Sequence, residues 1–134
     1  MVIGDVRNGL KTNLATITGL RCYEVVPDSL AVPAAVVGIP NEIVFDSTLN
    51  RSNDMAVFPI RIFIGKASDR NAQKLLDVYL ASTGASSVKY ALEADSSLSG
   101  AANTIKVDRA SGIGVYTVNG VDYLGAEFSV RVWG

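Results

Sequence analysis

Acidic side chains are the first candidates for chemistry in this sequence of 134 residues. Asp69 and Asp77 lie on the polar side of a predicted helix, close to Arg70 and Lys74. Acid or base catalysis by either aspartate requires a cleft, and the sequence indicates none. Because Lys74 and Asp77 are three residues apart on that helix, we interpret them as a solvated ion pair on its surface.

A second group of oxygen-bearing side chains lies in and around a polar segment between two predicted strands. Its members are Glu42, Asp46, Asn50, Asn53 and Asp54. Their spacing does not match the calcium-binding loop of an EF-hand. We therefore predict no metal site.

Histidine is absent from the sequence, and Cys22 is the only cysteine. The Ser-His and Cys-His arrangements of nucleophilic catalysis are therefore excluded, and the commonest metal ligand is missing. We expect Cys22 to be a small buried hydrophobic residue, and a lone cysteine is typical of a reducing compartment such as a bacterial cytoplasm. The glycines of Gly112-Ile-Gly114 open a predicted strand rather than a helix, which disfavours a phosphate site. We expect no catalytic residue and no cofactor, and hence no enzyme.

The composition is that of a globular protein. Hydrophobic residues make up 49% of the chain, charged residues 19%, and the net charge is −1. We predict one domain over residues 1–134, with no basic patch for direct nucleic-acid binding. The apolar runs are too short to span a membrane, and the N-terminal pattern is not that of a secretory signal.

Hydrophobic periodicity predicts helices and strands in separate blocks. The predicted elements are a helix over residues 2–16, a short segment at 21–26 that suits a strand, strands at 34–39, 42–46 and 56–65, helices at 68–82 and 86–95, and strands at 105–110, 112–118 and 121–133. In the strand at 56–65, Phe58, Ile60, Ile62 and Ile64 share one face, while Pro59 is expected at an edge or a bulge. This order predicts an α+β fold with a mostly antiparallel sheet of about five to six strands flanked by about three helices.

The last two strands are predicted to form a hairpin that turns at Asn119-Gly120, a dipeptide suited to a type I′ turn. Leu124, Ala126, Phe128, Val130 and Val132 then form the core face of the last strand, and Tyr123, Glu127, Arg131 and Trp133 form the other face. Trp133 either covers the end of its own sheet or anchors against a partner subunit.

The segment Asp46–Met55, "DSTLNRSNDM", is longer than the two to five residues that usually connect two hairpin strands. It is either a solvated loop or an arm that contacts another molecule. The candidate interface residues are Thr48, Leu49, Asn50, Arg51, Ser52, Asn53, Asp54, Tyr123, Arg131 and Trp133.

Three phrases, "YEVVPDSLAVPAAVVG", "FPIRIFIGKASDRNAQKLLDVYLASTGASSVKYALEAD" and "GVDYLGAEFSV", resemble the small neck proteins of long-tailed phages, in particular those infecting actinobacteria. Among these proteins the resemblance is to the tail terminator, also called the tail completion or head-tail connector protein. It extends over nearly the whole chain in the same order.

The resemblance implies an α+β subunit of a virion ring, typically a hexamer, assembled in the host bacterial cytoplasm. Such a ring sits on the last ring of the tail tube protein, ends tube polymerisation and joins the head-tail connector, while DNA passes through its lumen without specific binding. No residue-level site comes with the resemblance. A stopper or adaptor that closes the head is the alternative within the virion, and a small-ligand binder or an enzyme is the alternative outside it.

Overall fold

A computed structural model describes residues 2–23, 31–45, 54–66, 68 and 70–134 of the chain. Its elements are α1 (Ile3–Leu14), β1 (Arg21–Tyr23), β2 (Ala34–Val37), β3 (Glu42–Val44), β4 (Met55–Lys66), α2 (Arg70–Leu80), α3 (Val88–Glu93), a short 3₁₀ turn (Leu98–Gly100), β5 (Thr104–Val118) and β6 (Val121–Trp133). They confirm the predicted α+β class, with a mixed, mostly antiparallel six-stranded sheet and three helices in the described ranges.

The strand order across the sheet is β1-β2-β4-β6-β5, and β3 pairs with β4 beyond the end of β2. Among the described strands, only β1 and β2 are parallel; the other neighbours are antiparallel. The long strands β4 and β6 therefore form the centre of the sheet, while β5 forms one edge and β1 and β3 form the other.

The main core lies between the helices and one face of the sheet. Phe58, Ile60 and Ile62 of β4 are fully buried there, as the alternating pattern predicted, and Leu10 of α1 and Leu92 of α3 pack in the same cluster. Burying each of these side chains contributes about 1.5–3 kcal/mol to stability. The described helices pack against this face of the sheet, and none of them covers the opposite face.

Helix α2 contacts the sheet through Ala72, Leu76 and Tyr79, which are buried at helical spacing. Leu75 follows Ala72 by three residues, a spacing that predicts a place on the same stripe, but it is 38% exposed. Leu75 precedes Leu76 by one residue, a rotation of roughly 100° that turns its side chain away from the sheet.

Asn13 joins α1 to the end of α3. Its side chain is buried, and Nδ2 donates to the carbonyl oxygens of Leu92 and Asp95, each at 3.0 Å. The second carbonyl also accepts from the backbone N–H of Leu98 at 3.2 Å. One amide side chain thus satisfies the Leu92 carbonyl at the C-terminal end of α3 and gives the Asp95 carbonyl a second donor.

Pro59 lies in the interior strand β4, opposite Ser129, and neither at an edge nor at a bulge as predicted. Its carbonyl accepts from the N–H of Gly38 at 2.9 Å, where the chain crosses from β2 to β3. The N and C=O groups of one strand residue point to the same side, so the missing donor of Pro59 faces this crossing and interrupts no regular ladder.

Strand β5 was predicted as two strands, at 105–110 and 112–118, and the structure has one strand of 15 residues. The pairing of β5 with β6 shifts register between Val107 and Arg109 and between Ser111 and Gly114. The irregular part of the sequence is thereby accommodated within one strand. The hairpin itself agrees with the prediction: Asn119 and Gly120 both have positive φ, and Val118 faces Val121. Two bulges therefore bend a continuous strand where two separate ones were expected.

Other boundaries differ by a few residues. Helix α1 is shorter than predicted, β2 ends at Val37, and α3 begins at Val88. The N-cap of α3 is Ser87, whose side chain accepts from the N–H of Tyr90 at 3.2 Å. The remainder of the strand predicted at 21–26 lies outside the described residues. In the described part of the chain, no helix has the length and apolar character needed to span a membrane.

Candidate interaction surface

The face of the sheet turned away from the helices is called the open face here. It carries Val57, Pro59, Arg61 and Phe63 of β4 and Tyr123, Glu127, Ser129, Arg131 and Trp133 of β6. A second, smaller buried cluster forms on this face and includes no helical residue of the described chain. The period-2 alternation of the two central strands therefore gives the sheet one helix-covered side and one side that no helix of the described ranges covers.

One end of the open face is closed by aromatic packing. The rings of Phe63 and Tyr116 meet edge to face at 5.8 Å, and those of Phe63 and Tyr123 meet at 6.2 Å. Tyr123 is only 8% exposed as a result. The expectation that Tyr123 is exposed is therefore wrong, because the ring of Phe63 packs against it from within the chain. Its role as a contact residue stays a prediction.

Gly125 allows the strands to approach closely at this point. A Cβ atom there would lie 2.1 Å from the carbonyl oxygen of Ile62 and 3.4 Å from Cδ2 of Tyr116. Side chains other than hydrogen are thus excluded from this position of β6.

The middle of the open face carries charged side chains in balanced pairs. Arg61 Nε lies 3.8 Å from Glu127 Oε2, and Arg131 Nη2 lies 3.5 Å from Asp108 Oδ2. Arg109 approaches the same aspartate at 3.7 Å. These pairs are solvent-accessible, so each contributes at most about 1 kcal/mol to stability, and they give the surface a polar character without a large net charge.

The other end of the open face is formed by Trp133, with Asp54 and Gly134 next to it. Asp54 and Gly134 exchange two backbone hydrogen bonds of 3.0 Å, and Trp133 is opposite both Met55 and Thr104. Trp133 is half-buried. Whether the indole covers the end of its own sheet or anchors against a partner subunit stays a prediction.

The predicted site residues are thus divided along β6. Tyr123 and Trp133 are ten residues apart, about 33 Å along the strand. Of the predicted contact segment, Thr48, Leu49, Asn50, Arg51, Ser52 and Asn53 lie outside the described residues, as do Asp46 and Asp69. Over the ranges that are described, no group of three or more potential metal-ligating side chains occurs.

The edge strand β5 is blocked at one position in its N-terminal half. Glu93 Oε2 of α3 accepts a hydrogen bond from the outward N–H of Val107 at 3.1 Å, and the same carboxylate pairs with Lys89. Burial raises the pKa of Glu93, but the hydrogen bonds from Lys89 and Val107 outweigh it and hold the pKa below its ordinary value. The N-terminal half of β5 therefore has a carboxylate where another strand would have to pair.

Exposed apolar side chains lie at both edges of the sheet. Val115 and Ile113 of β5 are 60% and 55% exposed. On the opposite edge, Phe45 and Ile39 are 71% and 72% exposed. Sequence reasoning missed these residues, because their strands were assigned without knowing which of them lie at the edges.

A groove of about 500 Å³ lies between α2 and the β5-β6 hairpin. Its lining combines apolar side chains, such as Leu76, Leu80 and Ile113, with Arg70 and Asp77. Leu124, predicted in the core, lies in this lining and is half-buried.

Lys74 and Asp77 are both exposed and do not form the predicted ion pair.

Side chains with shifted pKa values lie elsewhere. Burial raises the pKa of the Cys22 thiol, which is half-buried rather than fully buried, and burial also raises the pKa values of Tyr79 and Tyr116. Hydrogen bonds, the strongest from Ser97, lower the pKa of Asp95. None of these residues lines the groove.

No protein-family model matches the sequence, and no curated protein matches it significantly.

Proposed function

We propose that this chain is a structural subunit of the neck of a long-tailed phage, of the tail-terminator kind. Copies of the chain form a ring, in the proposal a hexamer, that caps the tail tube, ends its polymerisation and joins it to the head-tail connector. The observation that carries the proposal is a sheet with helices on one face and an uncovered, charge-balanced face on the other. The resemblance in sequence supplies the identity of the assembly.

The exposed edges support an associating protein. Ile39 and Phe45 at one edge and Ile113 and Val115 at the other are apolar side chains that are each more than half exposed. Apolar groups rimmed by polar ones are typical of protein–protein contacts. Two different edge surfaces suit a head-to-tail contact, which closes into a ring when the rotation between neighbours permits.

The open face also suits a ring through which DNA passes without specific binding. Its arginines, Arg61 and Arg131, each have a carboxylate partner, so no cluster of unpaired cations is presented by the described part of this face. With a net charge of −1 per chain, the subunit has no excess of positive charge to retain the phosphate backbone.

A stopper or adaptor that closes the head is the alternative within the same virion. It shares the features described above, and the position of the ring in the particle separates the two. Electron microscopy of the neck places a terminator directly on the tube and a stopper nearer the portal. A gene between the head-closure genes and the tube gene favours the terminator.

A small-ligand binder or an enzyme is the alternative of a different class, and the groove beside α2 is the observation that favours it. Its volume of about 500 Å³ lies within the range of ligand sites. Such sites usually gather convergent polar groups and titratable residues with shifted pKa values. The shifted groups of the described chain lie outside the groove, which favours the structural role.

The test is assembly in solution. We expect the purified chain to form rings of uniform mass in native mass spectrometry and negative-stain microscopy. Added to tail tubes of the same phage, these rings should bind tube ends and stop growth at a fixed length. A chain that stays monomeric at all concentrations and leaves tube growth unchanged would overturn the proposal.

A further inference from the structure

Within the described ranges, there is one position along the sheet at which neither of its two edge strands, β3 and β5, has a further neighbouring strand. There, β3 pairs with β4 alone and β5 pairs with β6 alone. The register places Glu42, Val57, Arg131 and Lys106 in one row across these four strands, all on the open face. With three gaps between strands, the row is about 14 Å wide.

The two ends of this row carry opposite charges. Glu42 and Lys106 are both exposed, and neither has an ion-pair partner within 4.0 Å among the residues described. Arg131, between them, is already paired with Asp108 at 3.5 Å. On the open face the row therefore ends in an anion at the β3 edge and in a cation at the β5 edge. The carboxylate of Glu93 also lies at the β5 edge, where it accepts from the N–H of Val107 and is attracted by Lys106.

The strand directions make these edges compatible. Since β3, β4, β6 and β5 alternate in direction, a second copy in the same orientation brings its β3 antiparallel to β5 of the first. We propose that a second copy of this chain docks its β3 edge against the β5 edge, with Glu42 of one copy beside Lys106 of the next. This inference rests on the proposed function, since it assigns the two edges through which the ring forms.

The contact is made by side chains and not by a continuous sheet. The N–H of Val107, which a pairing strand would need, already donates to Glu93. The register shifts at Val107/Arg109 and Ser111/Gly114 also prevent regular pairing. Because no ladder fixes the angle between neighbours, the contact can curve towards closure. Phe45, 71% exposed beside β3, supplies the apolar part of the surface.

Charge distinguishes this contact from a two-fold one. If two β5 edges met, Lys106 and Arg109 of one copy would face the same cations of the other, since Asp108 is already shared by Arg109 and Arg131. Like charges at close range are unfavourable. The head-to-tail arrangement replaces this repulsion with an attraction at every contact.

Charge reversal tests the assignment. The variants are Glu42→Lys, Lys106→Glu and the double variant, with Lys74→Glu on exposed α2 as the matched control. Assembly mass is measured against concentration in 50 mM salt. We expect each single reversal to raise the concentration of half-assembly about tenfold, corresponding to about 1.4 kcal/mol. The double variant and the control should remain within about threefold of the original chain.

A mixture provides a second readout that needs no double variant. In an alternating ring of Glu42→Lys and Lys106→Glu subunits, every contact pairs opposite charges, so an equimolar mixture should assemble where each variant alone does not. Raising the salt concentration to 500 mM should reduce all the differences. Glutamine at either position should give a smaller shift in the same direction, with circular dichroism confirming the fold.

The outcomes separate the two proposals. If the original chain assembles and the single reversals behave like Lys74→Glu, the edge assignment is overturned and the proposed function stands. If the single reversals weaken assembly but neither the double variant nor the mixture restores it, Glu42 and Lys106 do not meet. A chain that never assembles, either in solution or on tube ends, overturns the proposed function and, with it, the contact.

Discussion

Replacing Asn13 by alanine tests whether one buried amide fixes α1 against α3. The variant removes two hydrogen bonds, from Nδ2 to the carbonyls of Leu92 and Asp95. The Leu92 carbonyl loses a buried partner, at a cost of about 1–3 kcal/mol. The Asp95 carbonyl keeps its bond from Leu98, so its loss costs about 0.5–1 kcal/mol. The expected sum is about 3 kcal/mol.

Urea and thermal unfolding at one fixed protein concentration measure this loss. For a chain of 134 residues, about 3 kcal/mol corresponds to a fall of roughly 10 °C in Tm. The concentration is held constant because assembly would itself stabilise the folded chain. Far-UV circular dichroism and tryptophan fluorescence should report the same transition.

Two further variants control the interpretation. Asn8→Ala changes an exposed residue of the same helix and should alter stability by no more than about 0.5 kcal/mol. Asn13→Asp keeps the shape but aims carboxylate oxygens at the two carbonyls, so it should destabilise at least as much as alanine at neutral pH. A stability of Asn13→Ala within about 0.5 kcal/mol of the original chain would refute the assigned role.

Three other perturbations have defined outcomes. Gly125→Ala should lower the free energy of unfolding by more than about 2 kcal/mol in urea, since its Cβ would meet the Ile62 carbonyl at 2.1 Å, whereas Gly4→Ala, which meets no atom within 4 Å, should not. Because the folded-state pKa of Glu93 is lowered from 4.5, its stabilisation is complete above that pH and is lost as the pH falls through the lower value, and Glu93→Gln should flatten this acid dependence of Tm. Replacing residues 49–53 by Gly-Gly should alter ring mass or tail length; unchanged rings and tails would instead favour a solvated loop.

The fold class was predictable because the apolar periodicity is regular where elements are buried. Phe58 and Ile60 alternate with half-buried or polar residues, and Ala34–Val37 is apolar throughout, as expected for a strand that is buried on both faces. The Asn119-Gly120 turn was predictable from a local conformational preference. Each of these signals is contained within a few neighbouring residues.

The errors occurred where distant segments decide the outcome. Pro59 is accommodated in an interior strand only because β2 ends and β3 begins beside it, a fact of tertiary topology. Tyr123 alternates correctly onto the open face, but Phe63 and Tyr116 then cover it. The candidate surface was therefore predicted only in part: alternation identifies the residues of a face, whereas the strand order determines which of them lie exposed at an edge.

The carboxylate of Glu93 on the edge of β5 has a consequence for handling the isolated chain. An unpaired edge is a template for irregular aggregation, and Glu93 with the two bulges protects only the first part of this strand. The remaining part, Gly114–Val118, pairs regularly with β6 and presents Val115 at 60% exposure. Loss of soluble protein during purification should therefore begin at this segment, and a charged residue at position 115 is the first substitution to try for keeping the unassembled subunit in solution.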